Sequence, residues 1–562
     1  MTVLSSNQTS ARSPVVAAFA LVGAVWLYLF PYSAALNNPN ERTRVLQART
    51  LVAAGDLSIG AVVRERGRLL YVDPYGKQSR HPFVNDVAVT CQDGERDGPG
   101  KCAGPLYPAK APGTALLGVP LLAAADALGL IPAGPDGEPR ATWVLRLAVA
   151  LFCFAGLWAV SRLLTDAGVR PGLVAGTVVG LGLGSSVLPY GITFVGHAAA
   201  GAAIVLGLVA LGSAAPSTVC YTGRRLARTA LAGALVASAV LFEYHALVMA
   251  LPVALLPLLR RDWRALPGFA VGGGAMAALH LWLHDAMFGG PFRTGHLGLV
   301  TAHNRESQAG GFLGLDGLHL DSLGAHLFDG YMGLGPTMPW ILLLGGLGLV
   351  RAFSRDGALP EAPSAGPRAL AVGVLLYLVF VSSLGNFRVM NGWSFGPRYL
   401  VPALMPLAVL AGLGWEWLAR RAGTLAAFAG GTVGFSIVVY LALTAAYPSP
   451  PNDVMNPFAE LALPLLKAGY GVRNLGAVLG GAWIWPLGAA AAAAIALVTR
   501  GAPAGTRAGR HWALAAIVTV LLVSLWSRYR PTAPDACERA LAFMKSTVEG
   551  VSPDGHRPFF SP

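Results

Sequence analysis

Charge is scarce in this chain. Asp, Glu, Lys and Arg together make up 12% of 562 residues, while 54% are hydrophobic. A soluble domain carries about a quarter charged residues, so half that fraction leaves too little polar surface to coat a globule of this length. Cysteine is rare too. There are five, with no CxxC pair and no Cys/His spacing of the kind that holds zinc. The net charge is +13, but long basic tracts are missing. The Lys and Arg residues sit in short clusters between apolar runs, which is the pattern of loops flanking membrane spans and excludes a nucleic-acid partner. No internal repeat is visible, which disfavours a transporter built from inverted halves.

What the chain does have is apolar runs near 20 residues, enough to span about 30 Å of hydrocarbon. The first, 14–36, is longer than a signal-peptide core and reads as an uncleaved span. The basic clusters Arg224-Arg225 with Arg228, Arg260-Arg261 with Arg264, Arg351 with Arg355 and Arg368, Arg420-Arg421 and Arg500 to Arg510 are assigned to the cytoplasm. That orientation predicts thirteen spans: 14–34, 142–161, 172–189, 193–213, 229–244, 245–259, 266–286, 338–352, 369–385, 398–418, 422–447, 479–499 and 511–527. The segment 113–131 is apolar, but counting it would move two basic clusters outside. Pro120 and Asp126 also interrupt it. It reads as a helix lying at the outer surface, partly re-entrant where protein covers it.

The fold class expected is therefore an all-α polytopic membrane protein, with amphipathic surface helices in a large first outer loop, 35–141. Further outer segments are 287–337, 386–397, 448–478 and the tail 528–562. A main region, 1–447, is followed by an appended one, 448–562. The chain is expected in a bacterial-type plasma (inner) membrane with its N-terminus cytoplasmic, and chemistry on the extracytoplasmic face, where the large loops lie. In that oxidising setting Cys91 and Cys102 can pair, with Cys537 as an alternative partner.

Several outer residues can carry chemistry. Asn37-Asn38-Pro39 forms a turn after the first span and opens an amphipathic helix ending at Gly55. Glu41 in its first turn is either a helix-start carboxylate or a partly desolvated general base. Asp86 is either a solvated loop acid or a second catalytic carboxylate. Lys110, in Tyr107-Pro108-Ala109-Lys110-Ala111-Pro112-Gly113, either snorkels to lipid headgroups or clamps a lipid phosphate. Arg398, in Gly396-Pro397-Arg398-Tyr399, can hold a phosphate in bidentate geometry or anchor the chain at the interface, and Arg388 precedes it. Glu243-Tyr244-His245 and His197 place ionisable groups inside or beside apolar runs, where they are functional candidates, although a packing role is the plainer reading of His197. His296, His303, His319 and His326 with Asp316, Asp321 and Asp329 in the second outer loop match no metal motif. No metal site or cofactor is assigned, and a divalent ion is left open.

A carboxylate just after span one, surface helices, a Lys-x-Pro-Gly turn and about thirteen spans together resemble the GT-C superfamily, the membrane glycosyltransferases that use polyprenyl-phosphate sugars. The protein O-mannosyltransferases and lipid A aminoarabinose transferases are the nearest analogies. Glu41 matches the family's catalytic acid, although the usual acidic pair is here Asn40-Glu41. Lys110-Ala111-Pro112 matches a Lys-Pro-Pro element. The resemblance implies inverting transfer from a polyprenyl-phosphate donor to a glycan, lipid or protein hydroxyl. Glu41 and Asp86 would be catalytic. Lys110, Arg398, Arg388 and Tyr107 would bind the donor phosphate, and Glu243, Tyr244, His296 and His303 the substrates. The competing class is a multi-spanning transporter or lipid flippase.

Overall fold

The computed structural model describes residues 6–32, 38–59, 71–72, 78–79, 86–90, 104–132, 137–212, 223–299, 315–354, 365–385, 387, 392–447, 449–451, 453–478, 485–500 and 508–547. They form a helical membrane protein. Among the described residues, seven helices are long and apolar enough to cross a bilayer: Pro139–Asp166, Gly223–Phe242, Leu266–Phe288, Ala365–Ser382, Arg398–Arg421, Gly423–Ala446 and Gly509–Arg528. The other six predicted spans fall on shorter apolar helices such as Pro171–Leu183, His197–Gly212 and Ala246–Leu259. The segment expected at the surface is the helix Gly113–Ala127. Its 15 residues rise about 22 Å, short of the hydrocarbon thickness.

Helix breaks shape the molecule more than spans do. The run expected as one span over 172–189 stops at Leu183 and turns through Ser185 and Ser186 into a five-residue helix, Val187–Gly191. A broken helix leaves carbonyls without partners. Here two buried indoles satisfy them: Trp26 Nε1 donates to the Gly182 carbonyl at 2.8 Å and Trp340 Nε1 to that of Gly184 at 3.1 Å. The chain re-enters helix at His197. A second break, Glu243-Tyr244-His245, separates Gly223–Phe242 from Ala246–Ala254. Helices Gly223–Phe242 and Leu266–Phe288 cross closely because both carry glycine at the contact. A Cβ on Gly233 would strike the Phe269 carbonyl, and one on Gly272 that of Ala230.

The first-loop helix forms where the turn chemistry indicates. Asn38 caps Pro39–Ala54 by accepting the Asn40 N–H at 3.0 Å, proline takes the first position, and Gly55 ends the helix at φ 65°. Its orientation differs from the sequence expectation. Asn40, Glu41, Thr43, Arg44 and Gln47 are all buried, so the polar stripe faces protein rather than water. Further on, strands Val87–Val89 and Leu106–Pro108 pair antiparallel, with Val87 opposite Pro108 and Ala88 opposite Tyr107.

The two ends of the bundle differ. At one, Glu416 binds Arg170 and Arg420, Arg225 binds Asp262, and Arg351 and Arg421 both lie on the Trp417 ring. At the opposite ends of the same helices stand Glu243, which follows Gly223–Phe242, and Arg398, which precedes Val401–Arg421.

Candidate active site

Three cations and two carboxylates meet at that second end. The strand pair supplies one ion pair. Asp86 lies just before Val87, and its carbonyl accepts the Ala109 N–H at 2.7 Å. This extra rung sets Lys110 beside it, with Nζ 3.3 Å from Asp86 Oδ1. Both side chains keep a little exposure, 15% for Lys110 and 14% for Asp86. Arg44 comes from the inward stripe of helix Pro39–Ala54. Its Nη2 donates to Glu243 Oε1 at 2.9 Å, and its Nε and Nη1 are buried without a partner. Arg398 enters on a turn of 3-10 helix and donates from Nε to His197 Nε2 at 3.0 Å.

That last contact fixes a tautomer. A guanidinium only donates, so His197 Nε2 accepts and the ring proton is on Nδ1, which lies 3.1 Å from Glu243 Oε1. The other carboxylate oxygen lies 3.7 Å from His245 Nε2. His245 Nδ1 contacts the Tyr377 hydroxyl at 2.6 Å. Tyr377, His245, Glu243, His197 and Arg398 thus form one continuous line.

Charge sets the protonation of the loop pair. Burial opposes ionisation of Asp86, but Lys110, Arg398 and Arg44 outweigh it and hold its carboxyl below the usual range. Burial also disfavours the Lys110 ammonium and, despite Asp86, leaves its pKa below that of a free lysine.

Among the described residues, one group has the donor set for a metal. His197, Glu243 and His245 offer ligand atoms within 4.8 Å of one another. Arg398 already occupies His197 Nε2 and Arg44 occupies Glu243 Oε1. With Nε2 accepting from Arg398, the His197 nitrogen that faces Glu243 carries the proton and offers no lone pair, and the two nearby guanidiniums repel a cation, so the residues fit a polar line better than a metal centre.

Glu41, expected as the general base, lies apart from this cluster. Its carboxylate is 3% exposed and is held by Arg146, Nε to Oε1 at 2.7 Å and Nη2 to Oε2 at 3.0 Å, while the Phe194 N–H donates to Oε1 at 2.8 Å. Arg146 also donates to the Pro31 carbonyl at 2.6 Å. Glu41 therefore fastens the loop helix to helix Gly137–Asp166 and to the turn ahead of His197. Tyr107 lies in the strand that leads to Lys110. Its ring packs edge-on against Phe288, at 6.0 Å between centroids. Asp86, Lys110, Arg398 and Glu243 do converge. Tyr244 and His296 adjoin them in a separate group. Arg388, His303, Cys91 and Cys102 lie outside the described residues, and Cys537 is a free thiol.

Sequence reading missed Arg44, Arg146 and Tyr377. A signal for Arg44 existed, since Asn40, Glu41, Arg44 and Gln47 recur at helical spacing. That stripe reads as the wet face of a surface helix until its neighbours are known.

No known protein family profile matches the sequence, and no curated protein matches it. Among solved structures, the chain is similar to ArnT from Cupriavidus metallidurans in the apo state, at 16% identity over 95% of this chain and 78% of that one, with a TM-score of 0.45. It is similar to the same protein bound to undecaprenyl phosphate at 15% identity, over 91% and 78%, with a TM-score of 0.44. The arabinosyltransferase EmbB from Mycobacterium smegmatis matches at 14% identity, over 97% of this chain and 44% of that one, with a TM-score of 0.41.

Proposed function

We propose that the protein is a membrane glycosyltransferase that moves a sugar from a polyprenyl-phosphate donor to an acceptor hydroxyl on the extracytoplasmic face, with inversion. The observation that carries this is the convergence of Arg44, Lys110 and Arg398 at one end of the bundle, with two Arg44 donors buried and unpartnered. Buried guanidinium donors are costly unless an anion takes them. An anion that reaches them from the bilayer edge is a lipid phosphate.

The chemistry then divides among the residues. Arg44, Lys110 and Arg398 hold the phosphate and stabilise the charge it gains on leaving. The acceptor oxygen forms a bond to the anomeric carbon as the bond from that carbon to the phosphate oxygen breaks. The electron pair stays on phosphate, which needs no proton. The acceptor's proton goes to Asp86, which a single 3.3 Å ion pair holds and which a hydroxyl can approach. Glu243 is clasped by Arg44 and faced by His197, so it orients the cations. Glu41 positions the loop helix.

The test is incubation of the purified protein with polyprenyl-phosphate sugars and candidate acceptors, combined with native mass spectrometry for bound lipid. Bound polyprenyl phosphate and a glycosylated product support the reading. Ion-coupled solute uptake into liposomes without any sugar transfer would replace it with a transporter.

The depressed Lys110 pKa gives a pH prediction. The ammonium is present below its folded pKa and is lost as pH rises through it. Donor affinity should therefore weaken on the alkaline side before about pH 10, where a free lysine titrates. Lys110→Arg should remove that limb from the binding profile, and an unchanged limb in that variant would assign it elsewhere.

A further inference from the structure

Beside the cations lies a group with different chemistry. Tyr244 is ringed by three histidines, with centroid separations of 5.1 Å to His284, 5.7 Å to His280 and 6.0 Å to His296. His280 and His284 lie four residues apart on helix Leu266–Phe288, their rings 4.2 Å apart. Four polar atoms here are buried without a partner: Tyr244 Oη, His280 Nδ1, His284 Nε2 and His296 Nδ1. His284 is 2% exposed, and it bonds to the Arg293 backbone. Because its Nε2 is the unpartnered nitrogen, the bond to the Arg293 carbonyl comes from Nδ1–H, so Nε2 presents a lone pair. A buried polar atom left unpaired is destabilising, so four together mark a place where something hydroxylated belongs.

The group is continuous with the phosphate site. Tyr244 follows Glu243 in sequence, and His296 senses the charges of Lys110 and Asp86. Burial and the Lys110 ammonium push the His296 imidazole down to about 3, so it is neutral near pH 7. A metal does not fit. Among the described residues the group with closely gathered ligand atoms is His197, Glu243 and His245, not this one.

We propose that Tyr244, His280, His284 and His296 form the subsite for the sugar of the lipid-linked donor, and that this sugar is an uncharged ring rich in hydroxyls. Imidazole lone pairs accept from ring hydroxyls, the tyrosine hydroxyl donates or accepts, and the aromatic faces cover the C–H surface of the ring. The four side chains include no carboxylate and no guanidinium, so they form no ion pair with a charged substituent on the sugar. The proposal rests on the donor reading above.

The test uses full-length protein in lipid nanodiscs and two kinds of probe. One is undecaprenyl phosphate without sugar. The other is undecaprenyl phosphate carrying arabinose, mannose or glucose, or a positively charged amino sugar. Tyr244→Phe removes one hydroxyl, and His280→Leu removes one imidazole. Each is expected to weaken the best neutral sugar-lipid about fivefold to tenfold, as lost hydrogen bonds of about 1 kcal/mol imply. Each should leave binding of the sugar-free lipid unchanged, which also reports an intact fold. Equal loss on both probes overturns the proposal, as does no loss on either or a wild-type preference for the amino sugar. Wild-type binding of sugar-free lipid but of no sugar-lipid overturns it while leaving the phosphate site standing. Failure to bind any polyprenyl phosphate would instead remove the donor reading, and the subsite with it.

Discussion

Lys110→Met protein should fold, insert and lose nearly all transfer. The ammonium is the one lysine among the three clustered cations and stands beside the proposed base, Asp86. Removing one preorganised donor aimed at a developing oxyanion costs about 10²–10³ in rate. A phosphate leaving group in a dry pocket makes a comparable demand, so kcat/KM should fall by about that factor. Lys110→Arg should restore part of it, since charge survives but the geometry changes. The measurement is steady-state transfer, with gel filtration of each variant as the folding control. A Lys110→Met enzyme within about threefold of wild type, far short of the loss expected for a phosphate donor, would show that this lysine only snorkels to headgroups.

Glu41 should behave as a structural ion, and a pair of variants separates that role from chemistry. Breaking a buried ion pair from one side leaves an uncompensated charge and costs about 3–5 kcal/mol. Glu41→Ala strands Arg146, which is 3% exposed, and should sharply lower thermal stability and yield. Arg146→Met combined with Glu41→Gln removes both charges, and the glutamine oxygen can still accept the Phe194 N–H. That double variant should recover stability and keep substantial transfer activity. A double variant that is stable but inactive would return Glu41 to the role of base.

The split between Glu41 and Asp86 shows what the sequence could and could not convey. Long apolar runs and basic clusters locate the helices because hydrocarbon thickness and loop charge act on the local chain. Asn38, Pro39 and Gly55 locate the loop helix because capping is local as well. The direction of its polar stripe is not a local property. In water a polar stripe faces outward. At a membrane edge, where charged groups converge on a buried pocket, the same stripe turns inward, and only the neighbouring helices decide which. Glu41 was therefore legible as a carboxylate of consequence but not as the partner of Arg146, 105 residues away. Likewise, Lys110 and Arg398 stood out as phosphate-holding candidates, whereas Arg44 waited on the fold. Gly184-Ser185-Ser186 marks the helix break after Leu183 only weakly, because the indoles that stabilise it come from Trp26 and Trp340, distant in sequence.

The two idle nitrogens of Arg44 have a consequence for handling the protein. Buried guanidinium donors are satisfied only by an anion that reaches them, and an anion bound there lowers the free energy of the folded form alone. Occupancy then stabilises by mass action, by about 2.7 kcal/mol at a hundredfold excess over Kd. The lipid is on this view a component of the fold as much as a reactant. Detergent that strips it should yield a more fragile preparation, and adding back a polyprenyl phosphate should mend it.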